Sequence, residues 1–193
     1  MIPSAGAIGS QHILRLSGVG DPEHLGRIGV AVAHELRGVG KNMQDHYTVV
    51  GAQTANERSR GPQLAGEVMR WLFTGKGILT YSASIVAASV KVLEESATPD
   101  MQVTFAPGSF KGGQIGELEE TPGLSAGAWQ MRPLSRGYVE ARSNRPGDMP
   151  AINPRCLSEE ADRRAIIGGL RMARRIFAAQ PLKQFGPRRD SAR

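Results

Sequence analysis

Glycine and proline punctuate this chain so often that many turns are implied. Its 193 residues include 24 Gly and 12 Pro. Uninterrupted apolar runs stop at about six residues, whereas a membrane-spanning helix needs about 20. Short elements joined by many turns are therefore predicted, and membrane crossing by a helix is not. The start, MIPSAGAIGS, lacks the basic stretch and apolar core of a secretory signal, so no leader is expected there. The single cysteine, Cys156, cannot close an intramolecular disulfide, which fits a reducing, cytoplasmic setting.

A long helix is read at the C-terminal end. Ser158 is a natural cap, and Glu159, Glu160 and Asp162 lie at the positive end of the helix dipole. Ile166, Leu170, Ala173 and Phe177 recur at helical spacing and form one buried stripe. Arg164, Arg171 and Arg175 fall on another side. The net charge of +6 sits there: residues 151–193 hold 10 Lys/Arg against 4 Asp/Glu, and residues 1–150 hold 14 of each. The basic excess is thus one solvated helix face plus a tail. Nucleic-acid binding would want aromatics interleaved with the arginines; only Phe177 and Phe185 lie nearby, the first on the apolar stripe, so no nucleic-acid partner is expected.

Upstream, residues 7–16 read as a helix with Ser10 available as a cap and Ile13, Leu14 and Leu16 on its apolar faces. A short helix follows from Pro22 and ends at Gly29. Val30 to Val32 reads as a strand, Gly38 to Gly40 as a tight turn and Tyr47 to Val50 as a strand. Residues 53–63 are the best linker, and 64–74 form a helix with Leu64, Val68, Trp71 and Leu72 on one face. Residues 84–93 and 101–106 read as strands, 107–123 as a long loop. Residues 128–142 read as a hairpin turning at Ser135-Arg136-Gly137.

No local motif names a chemistry. Gly18-Val19-Gly20 and Gly38-Val39-Gly40 do not extend to G-x-G-x-x-G, because Glu23 and Met43 occupy the sixth positions. Gly75-Lys76-Gly77 lacks the remainder of a phosphate loop. His12, His24, His34 and His46 show no metal-ligand spacing, so no metal site is indicated.

The order of the turn segments says more. Residues 6–20, from Gly6-Ala7-Ile8-Gly9-Ser10 to Ser17-Gly18-Val19-Gly20, resemble the signature G-A-x-x-S-P-x-L-L-x-x-S-G-I-G of the glucose-methanol-choline (GMC) oxidoreductases, with Gln11 for proline. Leu36 to His46 resembles L-P-G-V-G-x-N-L-Q-D-H, with Arg37 for proline. Arg132 to Val139 resembles R-P-x-S-R-G-x-V, and Pro150 to Pro154 and the last helix follow in order. The resemblance runs from residue 4 to about residue 186.

It implies an FAD enzyme that oxidises alcohols. The implied fold is α+β: the end of a Rossmann-type FAD-binding domain in residues 1–50, then an antiparallel-sheet substrate domain with helices in 51–193, its C-type block beginning near 128, both incomplete. Ser4, Ala5, Gly6, Ser10, Asn42, Asp45 and His46 are the implied cofactor-binding residues, and the last three brace the site rather than react. Thr54 and Thr104 are the implied substrate-binding residues. Thr54 stands where choline-oxidising relatives place a glutamate, which disfavours choline. The family's pyrophosphate-binding fingerprint and its catalytic histidine block are expected in other parts of the same enzyme, so no catalytic residue is assigned and the chain alone is expected to be inactive. The alternative is a non-catalytic remnant or interaction domain whose basic helix meets an acidic partner.

Overall fold

The computed structural model describes residues 2–54, 64–77, 80–82, 84–108 and 123–185. The chain forms two compact units, each built from two stretches: Met1–His46 with Pro133–Asp162, and Tyr47–Arg132 with Arg163–Arg193. The chain changes unit after residues 46, 132 and 162.

The first unit begins with α1 (Gly6–Leu16). Gly18, at φ +82, ends the turn beyond it, where a Cβ would press on the Ala31 carbonyl oxygen and the Ala33 nitrogen. Val19–Gly20 (β1) pairs in parallel with His34–Glu35 (β2). The strand is therefore 34–35 and not Val30 to Val32. The Gly18 carbonyl accepts from the amides of both Ala33 and His34, so pairing starts there despite the stronger β propensity of the valines. Between them α2 (Pro22–Arg27) opens as expected: Pro22 sits in its first turn, and the Asp21 carboxylate caps the Glu23 amide. A three-stranded antiparallel sheet follows in the order β3 (Lys41–Met43), β8 (Gly137–Glu140), β9 (Ala151–Asn153).

The second unit is built on a four-stranded antiparallel sheet, ordered β4 (Thr48–Thr54), β7 (Gly123–Gln130), β6 (Met101–Ala106), β5 (Val86–Val90). α3 (Leu64–Thr74) follows β4 in the chain, and Trp71, Leu72 and Phe73 on it are exposed. The expected linker lies mostly outside the described residues, as does most of the expected loop at 107–123. The helix α4 (Glu160–Phe177) lies on the sheet through small residues. A Cβ on Gly169 would come 2.9 Å from the Ala128 Cβ and 3.1 Å from the Met101 sulfur. Leu124, Ala126, Ala173 and Phe177 form the core there, with Phe105 and Phe185 against it. A backbone this close to the sheet needs few large side chains, which reconciles a stable core with only ten aromatics in the chain. The predicted α4 stripe holds at Ile166, Ala173 and Phe177, joined by Ala165 and Gly169, with Leu170 half-buried.

The expected hairpin at 128–142 does not form. β7 pairs with β4 and β6, and β8 pairs with β3 and β9. The alternation of Tyr138 to Glu140 is genuine strand periodicity, but its partners lie far off in sequence. Among the described residues, no helix is long and apolar enough to cross a membrane.

Candidate functional site

The sequence-predicted cofactor residues fall into two groups within the first unit. Ser4, Ala5 and Gly6 lead into α1 and are exposed. Ala5 stands at the cap position without a capping side chain, and no acidic residue occupies the first turn. The Ser10 hydroxyl reaches back to accept from the Ala5 amide at 3.0 Å. Gly6 takes φ +75, and a Cβ there would meet nothing within 4 Å. An open, uncapped helix start of this kind presents backbone N–H groups and a positive dipole end, both suited to an anionic group.

The second group follows the 38–40 turn. Asn42 adopts a left-handed backbone, φ 59, and is exposed together with Asp45 and His46. The segment is held from behind. Gln44 donates to the Pro133 carbonyl at 2.8 Å, and the Lys41 ammonium lies 2.6 Å from Glu140. The Asp45 carboxylate accepts from the backbone amide of His46 at 2.9 Å, so it shapes the chain rather than orienting the imidazole ring.

Thr54 and Thr104 belong to the second unit, and the sheet does not make them neighbours. Thr54 is in register with Gly123 and Thr104 with Gly127, four residues along the same strand, about 13 Å at the usual rise. The Thr104 hydroxyl covers Gly127, 3.2 Å from where a Cβ would stand.

Sequence reading missed a buried polar cluster behind the first unit's surface. It assigned α1's apolar faces to Ile13, Leu14 and Leu16, yet Ile13 is 41% exposed while Gln11 and Arg15 are buried, Arg15 completely. The Arg15 guanidinium donates to the Val39 carbonyl at 2.6 Å. Burial lowers the Arg15 pKa, against the opposing charges of Glu140 and Asp21. Buried His24 lies 3.9 Å from Glu140. Burial pushes its pKa down, and the Arg15 charge adds to the effect. Burial also pushes the Glu140 carboxyl up, but the Lys41 hydrogen bond and the Lys41, His24 and Arg15 charges together hold it below the usual range. The only sequence signal was Gln11, Arg15 and Gly18 at helical spacing.

His24 sets a pH dependence. Its folded pKa lies below the ordinary 6.5, so the unfolded chain takes up the proton first. Stability present at neutral pH is then lost as pH falls through 6.5 toward the depressed value. Thermal melts are expected to show the midpoint dropping as pH falls from neutral through 6.5, and His24→Gln is expected to flatten that slope. An equal slope in the variant refutes the assignment.

A second buried carboxylate fixes the turn before β8. Asp162 accepts from the Leu134 amide at 2.9 Å, the Ser135 amide at 2.7 Å and the Ser135 hydroxyl. Among the described residues no group of three or more His, Cys, Asp or Glu side chains is placed to hold a metal ion.

The C-terminal family model described as GMC oxidoreductase matches residues 133–192. A glucose dehydrogenase [FAD, quinone] of Drosophila melanogaster is 31% identical over 98% of this chain and 32% of its own length. An alcohol dehydrogenase [acceptor] of Pseudomonas putida is 33% identical over 93% of this chain and 34% of its own. A solved formate oxidase of Aspergillus oryzae, studied for its FAD modification, superposes with a TM-score of 0.80 at 19% identity over 96% of this chain and 38% of that one. The chain is thus similar to GMC oxidoreductases over most of its length, and residues 133–192 match that family's C-terminal model. FAD is the cofactor of that family. The chain spans about a third of the length of the curated relatives it matches.

Proposed function

We propose that this chain is a central part of an FAD-dependent GMC enzyme that oxidises a neutral alcohol or sugar. In this reading residues 1–50 close a Rossmann-type FAD-binding domain, and residues from 51 onward, apart from the 133–162 return, serve the substrate domain. The observation that carries it is the start of α1: exposed, uncapped, free of acidic residues and opened by Gly6 at φ +75. These residues fit a dinucleotide, because backbone can approach its phosphates and ribose without a side chain between. Ser4, Ala5, Gly6 and Ser10 would hold the adenosine-diphosphate side, and Asn42, Asp45 and His46 would brace the site.

When bound, FAD accepts the hydride that leaves the alcohol carbon. The chain's own part is binding and orientation, and none of its residues is assigned the catalytic base. Thr54 and Thr104 are the substrate-side residues of this reading, and threonine is uncharged. Neither supplies the negative charge that a quaternary ammonium needs, so a neutral substrate is favoured over choline. The exposed Arg171, Arg174 and Arg175, which have no ionic partner among the described residues, support the second reading, a surface of α4 that meets an acidic partner.

Flavin titration tests the first reading. The purified chain alone is expected to leave flavin fluorescence nearly unquenched. A stoichiometric yellow preparation that bleaches with alcohol would overturn the need for further GMC segments. Co-expressed with the segments of a GMC relative that lie outside the matched third, the chain is expected to copurify with FAD, and Gly6→Val to lose it. A colourless assembly would sink the reading.

A further inference from the structure

We propose that Arg15 is a positioning residue for the segment 42–46, acting through the carbonyl of Val39. The inference rests on the reading that this segment lies against the flavin.

Arg15 is 0% exposed, and of its guanidinium nitrogens only Nη2 has a partner among the described residues, the Val39 oxygen. Nε and Nη1 are buried without one. Glu140 and Asp21 compensate the charge from a distance and form no direct ion pair with it. A buried cation that directs its one hydrogen bond at a backbone carbonyl fixes that carbonyl strongly, because no water competes for either group.

Val39 opens the way to the candidate segment. The turn is closed by its own bonds, Val39 N to Leu36 O and Lys41 N to Gly38 O. Those bonds set the turn's shape but not its direction relative to α1. Arg15 supplies the direction. Gly40, next in the chain, is closely walled in: a Cβ there would overlap the Val139 oxygen and lie 2.7 Å from Arg15 Nη2 and 2.9 Å from Gln11 Oε1. The Gly40 carbonyl in turn accepts from the Val139 amide at 2.8 Å. Two residues on stands Asn42 in its left-handed conformation, then Asp45 and His46.

α1 therefore works as a strut. Its first residue, Gly6, belongs to one flavin-binding group, and Arg15, nine residues and about 13 Å along the axis, holds the turn that delivers the other. One helix references both groups. Arg15 touches neither flavin nor substrate in this scheme, so its effect is on placement.

Hydrogen exchange of the whole chain separates placement from general stability. Arg15→Met retains the length and loses the donors. Amides of residues 38–46 are expected to exchange about tenfold faster, while those of residues 8–14 and of β7 stay as they were. Arg15→Lys restores a donor without the fork and is expected to fall between. Should Arg15→Met fail to fold, as judged by circular dichroism, Arg15→Lys carries the comparison alone. Unchanged exchange at 38–46, or equal acceleration through α1, overturns the proposal. In the co-expressed assembly, Arg15→Met is expected to retain less FAD than wild type. Retention equal to wild type overturns the role toward the flavin. A wild-type assembly that holds no FAD instead refutes the flavin reading, and the exchange result still decides whether Arg15 orients the turn.

Discussion

Asp162→Ala is expected to destabilise the chain by about 4 kcal/mol, a large share of the 5–15 kcal/mol typical of a folded domain. The carboxylate is 1% exposed and takes hydrogen bonds from two backbone amides and the Ser135 hydroxyl. Removing it leaves those donors buried, each costing about 1–3 kcal/mol when unmet. Ser135 is itself buried, so water has little access to replace the lost oxygens. The damage is expected to spread locally. Pro133, whose carbonyl accepts from both Gln44 and Arg136, lies in the same turn. Asp162→Asn retains one acceptor but aims an N–H pair at the same donors, so it is expected to fall between alanine and wild type. Urea-induced unfolding measures the order. Glu95→Ala, which breaks an exposed ion pair with Arg164, is the comparison and is expected to change little. A loss below about 1 kcal/mol for Asp162→Ala would mean that the turn does not depend on the carboxylate.

Legibility followed the range of the interactions. Elements held by their own local signals were readable: α2 from Pro22, α3 from its apolar spacing, α4 from its stripe. Partner choice was not. Tyr138 to Glu140 alternate as a strand should, but Lys41 and Asn153, the residues that pair with Tyr138, stand 97 residues before and 15 after it. Ser135-Arg136-Gly137 looks like a hairpin turn, and Asp162 captures it for another purpose. Arg15 was missed for a related reason. Hydrophobicity places arginine on the outside, and its burial here is met by the Val39 carbonyl and the more distant charges of Glu140 and Asp21. The candidate site divides the same way. Ser4 to Ser10 and Asn42 to His46 are proposed from motif order. What holds the second group in place, the Arg15 clamp and the Gln44 bond to Pro133, is tertiary and leaves no pattern in a single sequence.

Gly40→Ala is expected to cost about 3 kcal/mol, from two independent sources. The first is conformational. Gly40 sits at φ +71, and a non-glycine residue held there pays about 1 kcal/mol or more. The second is steric. The new methyl would overlap the Val139 oxygen and crowd Arg15 Nη2 and Gln11 Oε1. The Val139 oxygen is backbone of β8, next to the residues that pair with β3, so it cannot swing aside as a side-chain tip would. Arg15 is equally confined by burial. Relief must come from displacing the turn, which pulls Lys41 from Tyr138 and breaks the bond between the Gly40 carbonyl and the Val139 amide. Gly38→Ala separates this cause from any general intolerance of the turn. Gly38 lies two residues away, a Cβ there would meet nothing within 4 Å, and its φ is not in the left-handed region. Thermal or urea unfolding is expected to place Gly38→Ala near wild type and Gly40→Ala far below it. Equal behaviour of the two variants would show that the turn has room the geometry denies. If Gly40→Ala folds at low temperature, the faster exchange expected for Arg15→Met at residues 38–46 should appear in it as well, because both substitutions loosen the same carbonyl-to-guanidinium joint from opposite sides.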